Sequence, residues 1–464
     1  MERLTGVYED DTSELDGILK SGESFDLIKR ETAFAGGRQT YFYIEGFVAG
    51  EVLQKLMAYT ASMKRIPCAR EFASFLPAVE ASFCHSVREI VFSVLAGKCA
   101  MLSDTFTDGA VIIDSRNYPA REATEPENDR VLRGSRDGFV ETLVFNAAML
   151  RRRIRSADLR VEYARAGSVT KCDLALCYMA DRVDAALLEK LRRGISNLNT
   201  GSVVLGHESI AECLIKKRWF DPFPKFRLTE RPDVAAASVL EGSVVLICDN
   251  SPEAMLFPTS IFDFLQEADD FYFPPFTGSY LRVLRHIVFL LSIILVPLWY
   301  LAVMNRVTLP DCLLFTVPDD PGEIPIIIQL FLVEFSLDGL KLAYLNTPDT
   351  LSSSVSVVGG LLLGDFAVKV GWLSPDVILY MAFASVANYT QSSYELGYAF
   401  KYLRMITLAL TAIFNVWGFF AGIAVGILLV AVNRTYGGKS YLYPLIPFNR
   451  TALKRLLFRP RKFD

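Results

Sequence analysis

The segment IPIIIQLFLVEFSLDGLKLAYL (324–345) is apolar in character, yet it carries three ionisable residues, Glu334, Asp338 and Lys341. Spaced i, i+4 and i+7, these three fall on one face of a helix. Two carboxylates and an ammonium are costly against lipid, so that face must meet protein or water. Carboxylates held in this way could draw cations along a wet pathway. The same spacing also suits an amphipathic helix lying in the membrane interface. Asp365 and Lys369 stand at i, i+4 in a later apolar stretch and could pair across one turn. Both sets are candidate ion-pathway residues.

Other chemistries find little support. No GxGxxG or GxxxxGK[ST] opens a predicted helix, so there is no nucleotide cradle, and no nucleophile elbow or Cys–His pair is present. His85, His207 and His286 are scattered. Cys68, Cys84, Cys99, Cys172, Cys177, Cys213 and Cys248 lack CxxC spacing and complete no zinc pattern, and they read as buried, reduced thiols. The expectation is no enzyme, no cofactor and no metal. A net charge of −4 gives no argument for nucleic acid. The basic excess is local: Arg450, Lys454, Arg455, Arg459, Arg461 and Lys462 crowd the C-terminus.

The elements that position these residues divide between two solvents. Residues 286–305, HIVFLLSIILVPLWYLAVMN, carry no formal charge and match one crossing of a bilayer core, roughly 20 residues. Before them, short apolar strands alternate with amphipathic helices, which predicts an α/β head with at least part of a parallel sheet. A charged, Pro-containing stretch at 114–134 reads as an exposed loop or a seam. It divides the head into subdomains 1–120 and 121–280. After the first span, an all-α polytopic membrane domain of four to six helices is expected over 281–440, then a basic tail over 441–464.

Two glycine patterns in that region predict helix packing: Gly360 with Gly364, a GxxxG, and the stripe Gly418, Gly422 and Gly426. The stripe lies between Arg404 and Arg434, in an uncharged run that fits one tilted helix or a tight hairpin of two short ones. The N-terminus, MERLTGVYEDDTSELDG, lacks the basic and apolar regions of a signal peptide. Head and basic tail are therefore both expected in the cytosol.

Several long motifs carry a family pattern: GESFDLIKRE (22–31), EPENDRVLRGSRDGFVETLVFNAAMLRRRI (125–154), LTERPD (228–233) and EGSVVLICDNSPEAMLFP (241–258). Over nearly its whole length the chain resembles the A-type subunits of the GerA family of bacterial spore germination proteins. Residues 347–380, 392–404 and 443–461 resemble the stage V sporulation branch of that family rather than its nutrient-receptor subunits. Receptor subunits carry an RLP-containing stretch and a GQAAV segment; here those positions read LNTPD (345–349) and GDFAV (364–368).

The resemblance implies a multi-pass protein of the spore inner membrane, with head and tail facing the spore core. It also implies a homo-oligomer around an ion pathway, release of monovalent cations during germination, and other inner-membrane germination proteins as partners. The stage V branch implies amplification of the germinant response rather than sensing of the nutrient. Under it, the Glu334–Asp338–Lys341 face reads as pathway-lining. The alternative is a non-conducting scaffold that organises germinant receptors. In the head, Arg133, Arg136 and Asp137 lie in a motif that reads as an inter-subunit or inter-domain contact, against an exposed loop. Arg231 and Asp233 read as a local salt-bridged turn, and Arg151–Arg153 as a solvated helix end.

Overall fold

A computed structural model describes residues 3–34, 37–76, 80–116, 129, 131–198, 206–215, 221–318, 322–348, 357–391 and 393–458. They form two compact units. One holds Met1–Lys217 with Phe226–Pro258; the other holds Arg218–Lys225 with Thr259–Asp464.

In the first unit, α1 (Tyr8–Leu19) precedes β1 (Leu27–Phe34), β2 (Gly37–Ile44), α2 (Gly50–Ser62), α3 (Ala69–Phe75), β3 (Ala81–Cys84), α4 (Val87–Leu95), β4 (Cys99–Ser103) and β5 (Ala110–Ile113). These strands form one sheet in the order β1-β2-β4-β5-β3. The chain then repeats the arrangement. Helix α5 (Leu143–Arg153) precedes β6 (Leu159–Ala166), β7 (Cys172–Met179), α6 (Ala185–Ser196), α7 (His207–Leu214), β8 (Arg227–Thr229), α8 (Pro232–Leu240), β9 (Val244–Cys248) and β10 (Ala254–Phe257). The second sheet runs β6-β7-β9-β10-β8. Helices and strands alternate in the same sequence in both halves, so the head contains an internal duplication of architecture.

The partly parallel sheet expected from the sequence is not found among the described residues, where every strand pair is antiparallel. The central strands mislead because helices cover both of their faces. Ala100 and Leu102 of β4 pack with Leu15, Leu19, Ile90 and Val94 on one side. Cys99 and Met101 pack with Leu53, Leu56 and Phe72 on the other. A strand buried on both sides reads as a continuous apolar run whatever its direction.

The two subdomains expected either side of residue 120 do not separate either, since both sheets belong to one unit. The loop after α1 stitches the halves together. Phe25 N donates to Val161 O at 3.0 Å, Val161 N to Ser24 Oγ at 2.9 Å, and Arg160 Nε to Glu23 at 2.9 Å. Arg151, expected at a solvated helix end, is fully buried. It donates to Asp26 at 2.9 and 3.1 Å, to Ser24 Oγ at 3.2 Å and to Ser156 O at 3.0 Å.

The second unit is helical: α9 (Asp269–Tyr272), α10 (Pro275–Met304), α11 (Ile326–Leu345), α12 (Pro375–Tyr389), α13 (Tyr394–Val432) and α14 (Arg450–Leu457). A π-helical turn, Leu362–Phe366, lies between α11 and α12. In place of the four to six membrane helices expected, two among the described residues are long and apolar enough to cross a membrane, α10 and α13. Helix α11 is continuous but carries three ionisable side chains along its length, and α12 is only 15 residues long, well short of the roughly 20 a crossing needs. The unit also begins earlier than residue 281. Phe223, Ile261, Phe264 and Leu265 share one apolar cluster with Phe289, Phe400 and Tyr441.

Helix α13 is not one rod. Asn415 takes φ 51° and ψ −128°, and the two arms fold back on each other there. A Cβ on Gly422 would stand 2.7 Å from Thr407 Cα, one on Gly426 3.7 Å from Leu403, and one on Gly418 would overlap the Leu410 carbonyl. The small-residue stripe is what lets the arms approach this closely.

Candidate functional site

Helix α11 brings Glu334 and Asp338 to α13, where Lys401 and Arg404 stand one turn apart. Arg404 Nη2 donates to both oxygens of Glu334, at 2.7 and 3.0 Å. Its Nη1 donates to the Ser292 carbonyl of α10 at 3.0 Å. Lys401 Nζ lies 3.3 Å from Glu334 and also pairs with Asp338. Glu334, Lys401 and Arg404 are buried, Arg404 to 2% exposure.

Lys341 takes a different partner. Its ammonium lies over the rings of Tyr389 and Tyr398, 5.1 and 5.6 Å from their centroids, a favourable cation–π geometry. Two carboxylates thus meet three cations in one cluster spanning α10, α11, α12 and α13. Beside the two tyrosines, Asn388 Oδ1 and both amide atoms of Gln391 are buried with no hydrogen-bond partner among the described residues. Asn388 Oδ1 and Gln391 Oε1 lie 3.8 and 3.9 Å from where a Cβ on Gly397 would be.

The remaining candidates lie apart from this cluster. Asp365 and Lys369 pair at 3.0 Å on an exposed surface. A Cβ on Gly360 or Gly364 would meet nothing within 4 Å, whereas one on Gly359 would overlap Leu340 of α11. The close approach is therefore one residue away from the GxxxG.

In the head, two motifs about 100 residues apart come together. Arg231 is fully buried and forks onto Asp233 at 3.1 and 2.7 Å. It also donates to Ser135 O at 3.0 Å and Asp129 O at 3.3 Å, while Phe139 N donates to Glu230 O at 2.7 Å. Asp137 accepts from Arg153 at 2.6 Å. Burial raises the Asp137 pKa, but the hydrogen bonds from Arg153 and Ser135 outweigh it and hold the carboxyl below its usual range. Arg133 and Arg136 remain exposed.

No disulfide joins any of the eight cysteines, all of which lie among the described residues. Cys84, Cys99, Cys177 and Cys248 are buried, but Cys68 and Cys172 are half-buried and Cys213 is exposed, so burial of all seven head thiols does not hold. Among the described residues, no group of three His, Cys, Asp or Glu could hold a metal ion.

Sequence reading found the acidic half of the cluster and missed its basic half. Lys401 and Arg404 lie 67 and 70 residues from their partners. A signal for them was present: two cations one turn apart at the head of an apolar run match two carboxylates one turn apart on α11.

Residues 14–463 match the family described as Bacillus/Clostridium GerA spore germination protein. The chain is 38% identical to stage V sporulation protein AF of Bacillus subtilis (strain 168), over 81% of this chain and 75% of that one. It is 29% identical to spore germination protein KA of the same strain, over 80% of this chain and 68% of the relative. The crystal structure of the N-terminal domain of the A subunit of the Bacillus megaterium spore germinant receptor GerK3 matches with a TM-score of 0.41 and 24% identity, covering 55% of this chain and 95% of that one. With a family match across almost its full length and helices apolar enough to enter a bilayer, the chain belongs to the GerA family of spore germination proteins and is a membrane-associated member of it.

Proposed function

We propose that this protein is an oligomeric subunit of the spore inner membrane that promotes release of monovalent cations during germination and thereby amplifies the germinant response, together with other germination proteins of that membrane. The observation that carries the reading is the five-residue ionic cluster of α11 and α13. A buried ion pair adds little to stability over well-packed apolar side chains, and ionisable residues within a membrane-embedded unit mark functional sites, ion pathways among them. Asn388 Oδ1 and the Gln391 amide, without a hydrogen-bond partner among the described residues, suit a wetted interior.

In the arrangement described, Lys401 and Arg404 occupy both carboxylates, which corresponds to a closed state. Withdrawal of Lys401 frees Asp338, and withdrawal of Arg404 as well leaves both carboxylates free to attract cations. Repeated around a symmetric oligomer, they form an acidic ring. Head and tail face the spore core. Supporting this, Arg282 at the start of α10 donates to the carbonyls of Arg455 and Leu456 in α14. The basic residues of both helices therefore gather at one end, the cytosolic end by the positive-inside rule.

The scaffold reading is favoured by one observation, that each carboxylate already has a cationic partner. Potassium efflux from liposomes carrying the purified chain separates the two. Conduction predicts efflux from the wild type, less from Glu334→Gln and more from Lys401→Gln. A well-folded, oligomeric wild type that releases no potassium supports the scaffold.

A further inference from the structure

The chain after α13 is built as a rigid surface rather than left as a tail. Tyr441 is fully buried in the apolar cluster of the helical unit, and its hydroxyl donates to Pro224 O at 2.9 Å. Fifteen residues on, Leu456 is buried as well. Arg282 of α10 grips the backbone there, donating to Arg455 O at 3.0 Å. Between these anchors the backbone is fixed by turns, Leu445 N to Leu442 O at 2.7 Å and Asn449 N to Pro444 O at 2.9 Å. Asn449 then caps α14, accepting from Thr451 N and Ala452 N at 3.1 Å.

This braced segment presents what a soluble surface avoids. Tyr443, Leu445, Ile446 and Phe448 are exposed, Phe448 to 68%, and Phe458 follows at the far end. Arg450, Lys454 and Arg455 are exposed on the helix between them. A contiguous apolar and aromatic row costs free energy in water and marks a contact surface. Aromatic rings beside a basic amphipathic helix match the headgroup region of a bilayer, where the rings sit at the boundary and the cations meet phosphate.

We propose that residues 443–458 form an interfacial foot that binds the headgroups of anionic phospholipids. Charge complementarity selects the lipid class: three cations with no acidic residue in the segment. Continuity selects the source, because the foot is pinned by Arg282 to the start of α10, a helix long and apolar enough to cross the same bilayer. The foot is therefore a lipid-reading element mechanically joined to α10, independent of whether the ionic cluster conducts.

The test uses the full chain purified in a neutral detergent, offered phosphatidylglycerol and phosphatidylcholine in equal amounts, with retained lipid counted by native mass spectrometry. The wild type is expected to retain phosphatidylglycerol preferentially. Arg450→Gln, Lys454→Gln and Arg455→Gln each weaken that preference about fivefold, the effect of about 1 kcal/mol per basic residue near an anionic surface. Ile446→Ser with Phe448→Ser weakens retention of both lipids alike. Raising the salt erases the preference in unmodified protein, so the proposal does not depend on any variant folding. A wild type without preference, or a triple Gln variant that keeps it, overturns the proposal. Loss of oligomeric mass instead of lipid would assign the surface to a second copy, and also overturns it.

Discussion

Arg151 in the head and Arg404 in the helical unit are both withdrawn from solvent, yet they are held differently. Arg151 faces a single carboxylate, Asp26, and each of its three nitrogens donates to a named acceptor. Arg404 shares Glu334 with Lys401, its Nε has no partner among the described residues, and the cluster around it holds more cations than carboxylates. The first is a balanced staple joining two halves of a duplicated architecture. The second carries an excess of cationic charge, which the proposed exchange of partners would use.

Four measurements sharpen or break this contrast. The largest effect belongs to the staple. Asp26→Ala leaves Arg151 buried and unpaired, which should destabilise the head by about 3–5 kcal/mol. Thermal unfolding of the full chain reads the loss, and Asp26→Leu with Arg151→Met should recover much of it. If that pair does not recover while each single change is mild, Arg151 is no staple.

Next come the cluster variants. Glu334→Gln and Lys401→Gln should move potassium efflux in opposite directions by about tenfold, the effect of ~1.4 kcal/mol on a barrier. A fall in both would make this cluster a staple too, and erase the contrast.

The third measurement compares glycines. Gly422→Ala drives a methyl against Thr407 Cα and should cost about 1–3 kcal/mol in detergent unfolding. Gly360→Ala meets open space and should change stability by less than about 0.5 kcal/mol. Equal effects would contradict the close approach of the α13 arms.

The smallest effect is electrostatic. The folded pKa of Asp137 lies below its usual value of 3.8. The stability it contributes is therefore present above that value and lost as pH falls through the folded pKa. Asp137→Asn should flatten the acid limb of the unfolding profile below about pH 4, leaving neutral pH nearly unchanged because the Arg153 pair is partly exposed.

What the sequence disclosed and what it hid follow from range. The i, i+4, i+7 spacing of Glu334, Asp338 and Lys341 is local, so the ionisable face could be read directly. So could the glycine stripe at Gly418, Gly422 and Gly426, whose hairpin was one of two open alternatives. Strand direction in β4 and β9 was hidden because burial on both faces erases alternation. The count of crossing helices was overestimated because the lack of charge outlasts helix length: the run between Asp376 and Glu395 carries no formal charge, but α12 ends at Tyr389. Lys401 and Arg404 were visible as residues but not as partners, because pairing across some 70 residues is set by packing.

The reversal at Asn415 has a consequence for how this chain is made. Its backbone conformation costs a residue other than glycine on the order of 1–3 kcal/mol. A reciprocal amide pair opposes that cost: Asn305 Nδ2 donates to Asn415 Oδ1 at 2.6 Å and Asn415 Nδ2 to Asn305 Oδ1 at 3.0 Å. Asn305 caps the end of α10, and synthesis from the N-terminus delivers α10 first. The apolar stretch after Arg404 therefore emerges from the ribosome to meet a template already in place, and is steered into a bend.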